Sequence, residues 1–387
     1  MIIDVETTTI EKGNPFVSSN QLLLVGLYVP GEIPRVYDIE YSNSPYKQCL
    51  EEIQLAIDNH QLIVGFNLKF DLHWLRRYGI VLRDYHRVWD CQLAYFIDKN
   101  QSVTYPSMEG VLKDYELGEK DKTLQFYLSQ SVNPKSIPFN DFKQYLRSDL
   151  ENTEKIFNHQ SSNFATNSKK TLLSLCNYDL LAIAEMEWNG FKYNAQRSLQ
   201  LAEESKVKKE ETYARIQQII NLPEINLNSP YHISSLLYGG SFSVRVRVTY
   251  PFKYKDGRIV QKEKWGEKKF ELVGHFKPPK RGLSKEGYYP TDEASLRKLL
   301  VRAKGEAKEL LELLLEFSFL DKKIGTYYEG IPELMKKMEW NDGIIHGSIN
   351  QCSVITGRTS SSRPNLQNFD SEQKPLFTTR FLMRKKA

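Results

Sequence analysis

What most restricts the fold of this chain is an alternation in its first 160 residues between short apolar stretches and helical periodicity. The stretches "MIIDVET", "LLLVGLYV" and "PRVYDI" have the β-branched, apolar character of strands, "PYKQCLEEIQLAID" has the spacing of an amphipathic helix, and "QLIVGFN" reads as another buried strand. From there the pattern is mainly helical, through "FDLHWLRRYG", "CQLAYFID" and "FNDFKQYLRSDLENTEKIFNH". Strands and helices in this order predict an α/β domain, a mixed sheet flanked by helices.

At 387 residues with 40% hydrophobic content the chain can fill more than one core, and two domains are expected. The polar run "HQSSNFATNSKK" predicts a linker over residues 161–170, with a first domain at 1–160. Beyond it, "LLSLCNYDLLAIAEMEWNG" and "AQRSLQLAEESKVKKEETYARIQQII" read as helices, and "TDEASLRKLLVRAKGEAKELLELLLEFSFLDKKI" as two packed helices with Thr291 as N-cap. The four cysteines are far apart and form no CxxC pair, which argues against a zinc knuckle or a disulfide framework. No run of eighteen apolar residues occurs, and "MIIDVETTTI" lacks the basic start and apolar stretch of a secretory signal, so a cytoplasmic protein is expected.

Charge is unevenly distributed. Residues 1–160 hold 16 Lys+Arg against 22 Asp+Glu, whereas residues 161–387 hold 37 against 26. An acidic first half joined to a basic second half suggests a carboxylate-lined site attached to a polyanion-binding body, although a basic surface can also be merely solvated. Within the basic half, residues 244–285 carry 13 Lys+Arg against 4 Asp+Glu. There, strict alternation at Val244 to Val248 and the turn signal Asp256-Gly257 predict a hairpin with one basic face, interleaved with aromatic residues.

Three acidic motifs stand out in the first half. Asp4 and Glu6 are two apart on a strand and so share one face, where two like charges repel unless a cation lies between them. Asp71 follows the strand "QLIVGFN" at the start of a helix that Asn67 could cap, and Asp149 lies one helical turn after Tyr145. Taken singly, the strand pair could be solvent-exposed acids, Asp71 a first-turn helix acid favoured by the dipole, and Tyr145 with Asp149 a surface contact. Together, strand DxE, then NxxxFD, then helical YxxxD resemble the three-motif site of the proofreading 3′-to-5′ exonucleases. The resemblance implies a ribonuclease H-like domain and two divalent cations, Mg²⁺ or Mn²⁺. It implies that Asp4, Glu6 and Asp149 hold one ion, that Asp71 with Asp4 holds the other, and that Tyr145 orients the attacking water. Asn67 and Phe70 would meet the single-stranded 3′ end, while Trp74 would belong to the core.

The second half carries a longer signature. "HGSINQCSVITGRTSSSRPNLQN", preceded by "INLNSPYHISSLLYGG", "YYPTDEASLRKLL" and "LDKKIGTYYEGIPELMKK", resembles the family A DNA polymerases. This implies a mostly helical thumb and the start of a polymerase domain at 171–345, with a basic insertion at about 241–287. A primer-template-binding segment of an incomplete palm would occupy 346–387. Arg358, Asn365, Gln367 and Asn368 would reach the DNA minor groove or the backbone nearby, with Ser360, Ser361 and Ser362 meeting phosphates. The palm and fingers motifs of nucleotidyl transfer are not found, so a second polypeptide carrying them is the expected partner, beside single-stranded and primer-template DNA. The N-terminal economy is reminiscent of phage replicative polymerases in a bacterial cell.

Overall fold

Strand β1 (Ile2–Thr7) is the middle strand of a five-stranded sheet, and its alternation decides which side each neighbouring helix takes. It runs antiparallel to β2 (Leu22–Tyr28), which pairs in turn with β3 (Arg35–Asp38). On the other side, after α1 (Lys47–Asp58), come β4 (Leu62–Gly65) and, after α2 (Leu68–Arg77), β5 (Arg87–Asp90), both parallel to their neighbours. The structure, a computed structural model, describes residues 1–165, 168–280 and 282–379.

Helices α3 (Cys91–Asp98), α4 (Met108–Asp114), α5 (Thr123–Ser129), α6 (Phe139–Ala165) and α7 (Lys170–Asn189) complete this part of the chain. Every residue of β2 is buried, as expected of a strand covered on both faces. Ile3, Val5, Val25 and Leu27 enter one core with residues of α1, α2, α3 and α7. Ile2 and Tyr28 pack instead with Leu150 and Ile156 of α6, and Leu24 with Leu146 of the same helix. The expected mixed sheet flanked by helices is therefore present.

Two compact units are found, Met1–Ala195 with Ile331–Ala387, and Gln196–Gly330. This differs from the expected boundary. Residues 161–165 of the predicted linker are the end of α6, because Phe164 is buried in the first core and holds the helix together past its polar outer face. Helix α7, expected to begin the second domain, belongs to the first unit. Its Leu173 and Leu180 enter that core, and its Asn177 side chain accepts from the Asp90 amide at 3.1 Å.

Within the first unit, β6 (Phe191–Tyr193) is later flanked by β9 (Ile344–Ile345) and β12 (Phe377–Thr378), while β10 (Ser348–Asn350) pairs with β11 (Ser360–Ser362). The second unit, mostly helical, holds α8 (Ala195–Ile220), α9 (Pro230–Tyr238), the antiparallel hairpin β7 (Gly240–Lys253) and β8 (Ile259–Leu272), α10 (Glu293–Leu300) and α11 (Gly305–Lys322). Ile216, Leu237, Phe242, Leu299 and Leu314 meet in its core. Asp292, not Thr291, caps α10, its carboxylate accepting from Ser295 N at 3.1 Å. Helix α12 (Gly330–Lys337) leads back to the first unit.

Candidate active site

The site is assembled on β1. Asp4 and Glu6 project from the same face as Ile2, toward α6, and the register places Asp4 directly opposite Gly26 of β2. A Cβ at Gly26 would lie 2.7 Å from Leu150 Cδ1 and 3.0 Å from Leu146 Cγ. The missing side chain thus lets α6 approach the strand pair closely, next to Asp4. That approach brings in Asp149, one turn after Tyr145 on the buried face of α6. Carboxylate oxygens of Asp4, Glu6 and Asp149 all lie within 4.8 Å of one another.

Asp71 arrives from the opposite direction. The amide of Val5, between the two strand acids, donates to Asp71 Oδ1 at 3.1 Å. This buried bond ties the first turn of α2 to the backbone that presents Asp4 and Glu6. The Asn67 side chain, expected to cap α2, does not. Asn67 is exposed with left-handed backbone at φ 61°, and the cap is Asp90, which accepts from Asn67 N at 3.3 Å and Leu68 N at 2.9 Å. The same carboxylate caps α3, accepting from Gln92 N at 2.8 Å and Leu93 N at 3.1 Å. Phe70 is half-buried against the first core, and Trp74 is fully buried with its indole donating to Gly13 O at 2.9 Å.

Crowded, desolvated carboxylates resist ionisation. Asp4 is pushed from 3.8 up to about 8, by burial first and then by the charge of Asp149. Burial followed by neighbouring acids also raises Glu6 and Asp71, and burial raises Asp149. Tyr145 is raised by burial and by the Glu6 and Asp149 charges, which keeps its phenol protonated. One cation is already at hand: Lys120 Nζ lies 2.6 Å from Asp149 Oδ2 and 5.2 Å from the Tyr145 ring centroid. The other Asp149 oxygen, Oδ1, is buried without a hydrogen-bond partner. An all-oxygen donor set, mutual repulsion and an unsatisfied carboxylate oxygen are what a hard divalent cation would relieve, so these residues fit Mg²⁺ or Mn²⁺.

Residues 259–385 match the profile of DNA polymerase family A. Over 360 residues the chain is 27% identical to the DNA polymerase I of Helicobacter pylori (strain J99 / ATCC 700824), a match covering 86% of this chain and 30% of that protein. To the DNA polymerase I of Aquifex aeolicus (strain VF5) it is 26% identical over 370 residues, covering 90% of this chain and 54% of that one. This chain is related to the DNA polymerases of family A. Its fold is similar to the POL domain of Pol1 from M. smegmatis, solved in complex with DNA primer-template and dNTP, with a TM-score of 0.65 at 19% identity over 95% of this chain and 52% of that one. The polymerase relative thus spans between 30% and 54% of the length of these proteins.

The residues expected to meet duplex DNA differ in exposure and in their own bonding. Arg358, Asn365, Gln367 and Asn368 are exposed, and Gln367 Nε2 donates to Thr359 O at 3.1 Å. Ser361 is buried, donating to Asn365 Oδ1 at 3.0 Å and accepting from Gln367 N at 3.3 Å, so both it and Asn365 brace their own loop. Ser360 and Ser362 lie on β11, bonded to Ser353 at 2.7 Å and Asn350 at 3.3 Å. Residues 380–387 of the expected palm segment lie outside the described residues.

Sequence reasoning passed over three residues. Lys120 sits in the charged run "GEKDK" and reads as solvated. Asp90 stands just before an apolar helical run, the position of an N-cap, and that signal was available. Glu187 of α7 is buried, bonded to His73 at 2.7 Å and to Lys69 at 2.6 Å, and it accepts from the amide of Ile349.

Proposed function

We propose that the first unit is a ribonuclease H-like 3′-to-5′ exonuclease that removes nucleotides from DNA 3′ ends. The observation that carries this reading is the convergence of Asp4, Glu6 and Asp149 within 4.8 Å, with Asp71 bonded to the amide between the two strand acids. Asp4, Glu6 and Asp149 would hold one divalent cation, and Asp71 together with Asp4 the other. When bound, such a pair activates water and stabilises both the anionic transition state and the departing 3′ oxygen. Tyr145, kept protonated by its surroundings, acts as a hydrogen-bond donor that orients the attacking water instead of deprotonating it. Asn67 and Phe70, at and just after the start of α2, would support the unpaired terminal nucleotide.

The second unit and the segment around Arg358, Gln367 and Asn368 are proposed to hold primer-template duplex, in keeping with kinship to DNA polymerases.

The test is digestion of a single-stranded oligonucleotide by the full chain in Mg²⁺. A 3′ label is expected to leave as mononucleotide while a 5′ label yields a descending ladder, and Asp4→Ala should slow both by at least about 10²-fold, the scale of losing one electrostatic stabiliser of a transition state. Equal digestion by wild type and Asp4→Ala would refute the assignment.

A further inference from the structure

The hairpin of the second unit sorts its charges by face. Its ladder is continuous from Gly240↔Leu272 to Lys253↔Ile259, so side chains of directly opposed residues share a face and successive residues alternate. Along β8 this alternation separates lysine from glutamate: Lys262, Lys264 and Lys268 point one way, and Glu263, Glu267 and Glu271 the other. The glutamate face is largely neutralised from within. Arg247 donates to Glu263 at 2.9 Å, Arg245 stands opposite Glu267, and Lys269 pairs with Glu271 at 3.0 Å. The lysine face has no acid on either strand.

At its base the lysine face is structural. Phe242 is buried in the second core beside Phe270, and Lys268 pairs with Glu224 at 2.7 Å. Farther out, Lys262 and Lys264 stand opposite Tyr250 and Val248. Their ammonium groups are carried on rings of the same hairpin, Lys262 Nζ 3.7 Å from the Phe252 centroid and Lys264 Nζ 5.2 Å from that of Tyr250. These contacts hold two charges about 7 Å apart along the strand, close to the axial rise of two nucleotides in one strand of duplex DNA. Because the lysines cover the rings, the face offers charge instead of stacking surfaces. That favours a duplex backbone over splayed single-stranded bases.

We propose that the outer lysine face of β7 and β8, centred on Lys262 and Lys264, is a contact surface for the phosphate backbone of duplex DNA. The proposal deepens the DNA-binding reading above and rests on it. It separates duplex holding by the hairpin from the chemistry of the carboxylate cluster.

The experiment measures binding of the full chain to a fluorescent duplex with a recessed 3′ end, across a series of salt concentrations. For K262Q/K264Q, the slope of log affinity against log salt should shrink by about 1.8, from about 0.9 for each neutralised phosphate, and K262R/K264R should restore it. Digestion of a short single strand should be the same for all three proteins. An unchanged slope in K262Q/K264Q with normal binding by wild type would overturn the proposal and leave the DNA-binding reading standing, whereas failure of wild type to bind duplex would remove both. Competition by poly-glutamate as effective as that by duplex would also overturn it, marking the face as one for an acidic protein.

Discussion

Lys120 Nζ lies 2.6 Å from Oδ2 of Asp149, so a protein cation occupies the rim of the cluster whose chemistry calls for divalent ones. Lys120 is about a quarter exposed and Asp149 nearly buried, and the pair is screened less than a surface bridge would be. Replacing it by methionine leaves three crowded carboxylates without a nearby positive charge. In chelator, Lys120→Met should destabilise the fold by on the order of 2–3 kcal/mol. Saturating Mn²⁺ should raise its melting temperature by more than it raises that of wild type. Equal shifts in the two proteins would mean that Lys120 and the ions do not answer the same charge.

Asp90 holds two helix starts with one side chain, its bonds to Leu68 N and Gln92 N being 2.9 and 2.8 Å long. Each lost cap costs about 1 kcal/mol, and the bonds here are buried and charge-assisted. Asp90→Ala is therefore expected to lower stability by about 2–4 kcal/mol, read as a shift in the urea midpoint. Asp90→Asn, which keeps one acceptor oxygen, should lose less. Identical midpoints for wild type and Asp90→Ala would contradict this role.

Stability without cations should depend on pH in an unusual direction. Asp4 is raised from 3.8 to about 8 by burial and then by Asp149, so in the folded chain it keeps a proton that the unfolded chain releases near pH 4. Between those values the unfolded state binds fewer protons, and stability falls as pH rises. The contribution is fully present below about pH 4 and is lost progressively toward about pH 8. Melting temperatures in chelator from pH 5 to 8 should fall more steeply for wild type than for Asp4→Asn, and excess Mg²⁺ should flatten the difference. Parallel curves for the two proteins in chelator would show that Asp4 does not titrate in this window.

Much of this arrangement can be read from local patterns. Period-two alternation announced β1 and put Asp4 and Glu6 on one face, and helical spacing put Tyr145 and Asp149 one turn apart. The hairpin was legible for the same reason, since alternation and the Asp256-Gly257 turn are local signals. What sequence could not supply were relationships across distance. The polar end of α6 looks like a linker until Phe164 is seen in the core, and nothing local says that α7 packs on the sheet. Lys120 is one lysine among many until α6 carries Asp149 to it. At the start of α2, Asn67 had the right residue type for a cap, but an acid 23 residues later takes that role with a better-placed carboxylate.

In the proposed nuclease, Asp4, Glu6, Asp71 and Asp149 act as one cation-holding pocket. Calorimetric titration of Mn²⁺ into the full chain, wild type beside Asp149→Ala, addresses this directly. Saturable binding is expected in wild type, with the tighter event lost or at least about tenfold weaker in Asp149→Ala, because that substitution removes both the buried unpartnered Oδ1 and its companion oxygen. Superimposable isotherms from the two proteins would contradict the pocket and the nuclease built on it.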